Sequence, residues 1–263
     1  MRFTCKRSNS LAMKIFYSIL FVILNCLLVS SCKKTSTPKT GSIRINIRNM
    51  VGARPILLDG TAFTNSFGET YSITQFKYYI SNIRLITSAS SVSEAASYHL
   101  VDQSLPASLS FEFMAEENTI LGLQFLLGVD SIRNVSGAQT GALDPLNGMF
   151  WTWNSGYVMA KMEGSSPQSN QVANKIAYHI GGFSGADAVL KTITLPFPAG
   201  KKLVILQGKI SEITLEADCN QWWQNPHSIK ITDYPVCTTP GELARKISDN
   251  YSNMFSIKEI VNN

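Results

Sequence analysis

The stretch "LDPLNGMFWTWNSGYVMAKMEG", residues 143–164, places aromatic and thioether side chains directly after turn-forming residues. "LDPLNG" contains Asp-Pro and Asn-Gly, which favour turns. From Met149 onwards the composition predicts a β-strand, in which alternate residues share a face. One face of this strand would be large and aromatic, and it would carry Met149, Trp151, Trp153, Ser155, Tyr157, Met159, Lys161 and Glu163.

This aromatic face has two interpretations. Each large ring buries roughly 150–250 Å², so the row could fill the core of a β-sandwich. Alternatively, the tryptophans line the wall of a binding site. The residues alone leave both interpretations open.

The rest of the chain predicts an all-β fold. "SIRINIRN" (42–49) alternates isoleucine with polar residues, the period of a half-buried strand. Many short strand-like runs without intervening helical patterns favour an antiparallel β-sandwich or barrel. The further runs are 75–87, 97–102, 108–113, 119–129, 175–183, 190–197 and 201–215.

One helix is predicted near the C-terminus. "TPGE" (239–242) has the pattern of a capping box, with Thr239 as N-cap, Pro240 in the first turn and Glu242 three residues after the cap. An apolar stripe that would dock on a sheet follows, formed by Leu243, Ile247, Tyr251 and Met254.

The N-terminus has the pattern of an export signal. A basic segment precedes an apolar run over residues 15–29, and at about 15 residues this run is shorter than the roughly 20 of a membrane-spanning helix. "VSSC", which ends at Cys32, resembles a bacterial lipobox; an ordinary signal peptide with an incidental cysteine is the alternative. We therefore expect a lipoprotein signal peptide (1–31), a flexible tether (32–41) and one β-sandwich domain (42–263).

This organisation predicts a cell-envelope protein attached to the membrane through a lipid on Cys32. Lys33 after that cysteine favours the outer membrane, on its periplasmic or surface side. Removal of the signal takes away four of the 23 basic residues and none of the 18 acidic ones, which leaves a nearly neutral chain. Nucleic acid is therefore not an expected partner.

Two cysteines remain in the predicted domain. Cys219 and Cys237 form an even pair in an oxidising compartment, which predicts a disulfide. A two-cysteine metal site is the alternative, although the pair lacks the close spacing that zinc sites favour.

The candidate metal ligands are the three histidines, His99, His179 and His227. Imidazole suits copper, and the thioether of methionine suits reduced copper. The three could converge on one site, or each could be an unrelated hydrogen-bonded residue.

Sequence motifs give no support to catalysis. The chain contains no G-x-S-x-G elbow, H-E-x-x-H helix or P-loop, so we expect a binding protein rather than an enzyme. A metal-free module for a protein or glycan partner is the alternative function. Glycan binding would require Trp151 with Trp153, or Trp222 with Trp223, on a solvent-facing platform.

Three segments together resemble a known family. "LGVDSIRN" (127–134), "GALDPLNGMFWTWNSGYVMAKMEG" (141–164) and "YHIGGF" (178–183) are similar to the MbnP-like family of periplasmic copper-binding proteins, in a lipoprotein branch common in Bacteroidetes-type bacteria. The resemblance implies a β-sandwich that binds copper through histidines. It also implies, for some members, a tryptophan oxidised to kynurenine by a dihaem peroxidase-like partner.

Carried over by motif, His179 occupies the family's His-x-Gly position, and Trp151 and Trp153 occupy its W-x-W pair. One departure concerns the residue after Asn134, which is Val135 here and histidine in the copper-binding branch. We predict a copper site with His179 as its main ligand, His99 and His227 as further candidates, and a wall formed by Trp151, Trp153, Tyr157, Met149 and Met159.

Overall fold

The computed structural model describes residues 38–152 and 156–263. The predicted signal peptide, Cys32 and Trp153 lie outside these ranges. Within the described part, no helix is long and apolar enough to cross a membrane. Residues Lys39–Asn263 form one compact unit.

Strands make up almost half of the described chain, and turns and loops join them. They are β1 (Thr40–Val51), β2 (Arg54–Pro55), β3 (Ala62–Thr64), β4 (Thr70–Ile86), β5 (Ser91–Ser93), β6 (Tyr98–Asp102), β7 (Ser110–Glu116), β8 (Asn118–Ile120), β9 (Gly122–Leu127), β10 (Phe150–Trp151), β11 (Gly156–Ser165), β12 (Lys175–Gly181), β13 (Lys191–Pro196), β14 (Leu203–Ile205), β15 (Ile210–Asp218), β16 (Val236–Cys237) and β17 (Phe255–Val261). The α-helices are α1 (Ser131–Asn134) and α2 (Glu242–Tyr251).

The strands form two main sheets. The smaller has the order β17-β15-β1-β2, with β7 also paired to β1, and the larger has the order β13-β9-β4-β11-β12-β16. Strands β3, β5 and β6 add to β4, and β10 adds to β11. The predicted class, an all-β sandwich with a C-terminal helix, is confirmed. Most strand pairs are antiparallel, while β1–β15 and β12–β16 are parallel.

The core lies between the two sheets because both present alternating apolar faces. In β1 the side chains of Ile43, Ile45 and Ile47 are buried. From β4, Tyr78 reaches across and donates its hydroxyl hydrogen bond to Asn49 Oδ1 at 2.7 Å. Tyr78 also packs edge-on against Phe255 of β17, with ring centroids 5.6 Å apart.

The prediction of one continuous strand from Met149 is wrong. The chain forms two antiparallel strands, β10 and β11, with Phe150 opposite Tyr157 and Trp151 opposite Gly156. Within β11 the register with β12 shifts between Val158 and Ala160. The shared face predicted for the aromatic row therefore does not exist as one surface.

The predicted disulfide is not confirmed, because Cys219 and Cys237 are both buried free thiols in this structure. The Cys219 thiol lies against the Tyr71 hydroxyl, and Cys237 receives a hydrogen bond from the Thr239 backbone. Burial raises the pKa of the Cys237 thiol to about 11 and that of Cys219 well above its usual value. Both sulfurs are therefore protonated at neutral pH.

Helix α2 begins later than the capping box predicts. Its N-cap is Gly241, at φ 147° and without a side-chain cap, so Thr239 does not cap it. The predicted apolar stripe does face the core, since Ile247, Tyr251 and Met254 are buried.

The segment between the two cysteines is held by a carboxylate. Glu69, at 6 % exposure, accepts hydrogen bonds from Asn65 Nδ2 at 2.8 Å, Ile231 N at 2.7 Å and Thr232 N at 2.9 Å. Burial alone raises the pKa of the Glu69 carboxyl, but these bonds and one from the Thr232 hydroxyl outweigh burial and keep the pKa below its usual value.

We predict that Glu69→Gln lowers the free energy of unfolding by about 2 kcal/mol, because a charge-assisted acceptor is lost while its donors stay buried. Since the folded-state pKa is lowered, the contribution of Glu69 is complete above the usual carboxyl pKa and disappears as pH falls through the folded value. Urea unfolding across this acid range measures both effects. Glu242→Gln, at an exposed i,i+4 ion pair, is the control and should change little; equal effects of the two variants would contradict the account.

Candidate functional site

A row of charged side chains crosses the outer face of the larger sheet, opposite the core. In the strand register, Lys77 of β4 lies opposite Lys161 of β11, and Lys161 lies opposite His179 of β12. Asp102 of β6 pairs with Lys77 on the other edge of β4. Cross-strand partners share a face, so these four residues form one line.

His179 contributes the imidazole of this row. Its Nε2 lies 2.5 Å from Oε1 of Glu163, which follows Lys161 on the same face of β11. Burial lowers the pKa of the imidazole, and the nearby Lys161 lowers it further, while the hydrogen bond to Glu163 raises it; the net shift is downward. His179 is therefore neutral near pH 7, the form that binds metals.

The two lysines hydrogen-bond to the segment that covers this face, the turn over residues 143–148. Lys161, only 8 % exposed, donates from Nζ to the Gly148 carbonyl at 2.5 Å. Lys77 donates to the Asn147 carbonyl at 3.3 Å and pairs with Asp102 at 2.8 Å. The turn predicted from "LDPLNG" is thereby fixed to the sheet. Burial lowers the pKa of Lys161, and the neighbouring Glu163 only partly offsets this.

Trp151 packs over Gly181, two residues after His179 in β12. A Cβ at Gly181 would lie 2.5 Å from Cζ3 of Trp151, so only glycine allows the ring this close. Gly181 follows His179 by two residues in β12, which places both on the same face. Trp151 is 7 % exposed, and a recess of about 400 Å³ opens between Trp151, Tyr157, Phe183 and Pro240.

The other predicted wall residues are less accessible. Tyr157 borders the recess and donates its hydroxyl hydrogen bond to the Leu143 carbonyl at 2.7 Å. Met149 and Met159 are fully buried, and the Met159 sulfur accepts a hydrogen bond from Val129 N at 3.2 Å. Trp153 lies outside the described residues.

The three histidines do not converge. His99 lies opposite Ile80 in the strand register, on the core side of the sheet. Its ring stacks on that of Phe111, with ring centroids 3.7 Å apart, and its Nε2 is 3.0 Å from both carboxylate oxygens of Glu94. His179 lies on the opposite face of the sheet. Its strand β12 is three strand spacings, roughly 14 Å, from β6, which carries His99.

His227 lies beside helix α2, where its Nε2 is 3.1 Å from Oδ2 of Asp249. Each histidine therefore has a carboxylate partner of its own. Among the described residues, no group of three or more His, Cys, Asp or Glu side chains could hold a metal ion.

The motif around Asn134 has a structural role. The buried Asn134 amide donates to the Val129 carbonyl at 2.6 Å and accepts from Tyr157 N at 2.9 Å, which joins α1 to β11. Val135, where the copper-binding branch has histidine, is 71 % exposed and offers no ligand.

Two contributors to this site were not predicted from the sequence. Glu163, expected only as a member of the aromatic face, contacts His179, and Lys77 was not among the predicted site residues. The alternation in "QFKYYI" (75–80) could have revealed Lys77, since Phe76 and Tyr78 face the core and Lys77 therefore faces outward.

Comparisons with known proteins agree with this fold. The structure is similar to that of MbnP from Methylosinus trichosporium, with a TM-score of 0.50 and 14 % sequence identity over 73 % of this chain and 80 % of that one. At this identity the likeness shows the fold alone. No curated protein matches. The model of the MbnP family matches residues 40–239, most of the chain, and the protein therefore belongs to the MbnP family.

Proposed function

We propose that this MbnP-family protein is a copper-binding protein of the cell envelope, anchored by a lipid on Cys32, and not an enzyme. The observation that carries the proposal is the His179–Glu163 pair beside Trp151. A neutral imidazole next to a carboxylate supplies a nitrogen and an oxygen donor at one point of the surface, and the Trp151 ring packs over Gly181, two residues after His179.

These donors suit Cu²⁺, which accepts imidazole and carboxylate ligands. His179 would supply Nε2, and Glu163 would supply Oε1 in place of their mutual hydrogen bond. Two protein ligands are fewer than a tight metal site uses. The ammonium of Lys161, two residues before Glu163, would also repel a copper ion bound here. We therefore expect modest affinity rather than the tight binding of a site with three or more ligands.

The alternative, a glycan-binding platform, has less support. Trp222 and Trp223 are each 1 % exposed, and Trp151 is 7 % exposed. The Trp223 Nε1 donates to the Tyr71 hydroxyl at 3.2 Å inside the core. These three rings are not available for a sugar to stack on.

His179→Ala should raise the dissociation constant for Cu²⁺ at least tenfold, which corresponds to about 1.4 kcal/mol. The reason is the loss of the only nitrogen ligand in the proposed site. Isothermal titration of purified, metal-free protein measures this change. His227→Ala removes a histidine of similar exposure and is the matched control. The copper proposal fails if the wild type takes up no copper, or if the two variants bind equally well.

Cys32→Ala should abolish acylation, because the thiol that would carry the lipid is lost. Incorporation of a labelled fatty acid during growth, followed by membrane fractionation, measures the effect. Cys26→Ala, within the apolar run, is the control and should be labelled like the wild type. Labelling of Cys32→Ala at the wild-type level would exclude the lipid anchor.

A further inference from the structure

A second recess, of about 440 Å³, lies on the outer side of the larger sheet and is lined by neither His179 nor Trp151. It opens between the β5–β6 turn and the segment that follows α1. Its lining includes Ala96, Tyr98, Arg133, Gln139, Thr140 and Leu143. The recess thus combines one guanidinium, one amide and two hydroxyls with apolar side chains.

Arg133 is held at this recess by neutral groups. Its guanidinium lies over the Tyr98 ring, 5.4 Å from the centroid, and Nη1 donates to Gln139 Oε1 at 3.2 Å. Gln139 Nε2 in turn donates to the Arg133 carbonyl at 2.9 Å. This reciprocal pair orients the guanidinium, which also contacts the Tyr98 hydroxyl. The N–H groups beyond these contacts are left for a ligand, since an arginine carries five.

The nearest acid, Asp130, is already engaged. Its carboxylate accepts a short hydrogen bond from the Tyr98 hydroxyl, one from Asn82 Nδ2 at 3.1 Å and one from Arg133 N at 3.1 Å. These bonds keep the pKa of Asp130 below its usual value against the effect of burial, which raises it. Asp130 therefore fixes the Tyr98 ring beneath the guanidinium.

We propose that this recess binds a small organic molecule with a single carboxylate group. The planar guanidinium matches a carboxylate through two parallel N–H···O bonds. The Thr140 hydroxyl and the Gln139 amide are further polar groups of the lining, and Leu143 with Ala96 supplies the apolar surface for the body of the ligand. A doubly charged phosphate fits less well, because only one positive charge lines the recess and the Asp130 carboxylate is close to it.

The test uses 4-fluorobenzoate as the probe and the fluorine resonance of the probe as the signal, with purified full-length protein. We expect saturable broadening of this resonance with the wild type and at least a tenfold higher dissociation constant with Arg133→Gln. Arg48→Gln, at an exposed arginine of β1 in the other sheet, is the matched control and should bind like the wild type. The neutral probe 4-fluorobenzamide should bind at least tenfold more weakly than 4-fluorobenzoate.

Arg133→Lys keeps the charge and loses the paired donors, so we expect an intermediate affinity, which distinguishes carboxylate recognition from loss of the loop structure. His179→Ala should not change binding of the probe, which makes this result independent of the copper proposal. The inference is overturned if the wild type does not bind 4-fluorobenzoate, if Arg133→Gln binds it equally well, or if the benzamide binds as tightly.

Discussion

The pairing of β4 along both of its edges is the constraint on which the rest of this structure depends. One edge pairs first with β11 and then with β9, and the other pairs with β3, β6 and β5. A strand bonded on both sides cannot slip by one residue without moving every side chain to the opposite face. Phe76 and Tyr78 are thereby kept in the core, and Lys77 is kept on the outside.

The outer face follows from this register. Lys77 and Lys161 lie opposite each other there as residues of like charge. The carbonyls of Asn147 and Gly148, in the segment that covers this face, accept a hydrogen bond from Lys77 and from Lys161 respectively. The covering chain then passes to Trp151, whose ring rests where Gly181 has no side chain. One register thus determines both the position of His179 and the wall beside it.

The sequence was sufficient to predict the fold class, because alternation in segments such as "SIRINIRN" reports directly on a half-buried strand. Motif resemblance also indicated His179 and Trp151, and the Trp151 ring packs over Gly181, two residues after His179. The pairing of β10 with β11 could not be predicted, because strand-like composition continues through the segment and does not show which residues pair. The two free thiols could not be predicted, because an even cysteine count does not show which groups surround each sulfur. The segment between them is held by Glu69, 150 residues before Cys219.

The most direct test of the account measures which tryptophan lies nearest to bound Cu²⁺, through paramagnetic broadening of the indole N–H resonances. The account predicts that substoichiometric Cu²⁺ broadens the Trp151 resonance before those of Trp222 and Trp223, and that His179→Ala abolishes this preference. Trp222 reports on the rival site, because Asn250 Nδ2 bridges the carbonyls of Trp222 and His227 at 3.1 and 2.7 Å. Broadening of Trp222 first, with Trp151 unaffected, would contradict the assignment of copper to His179.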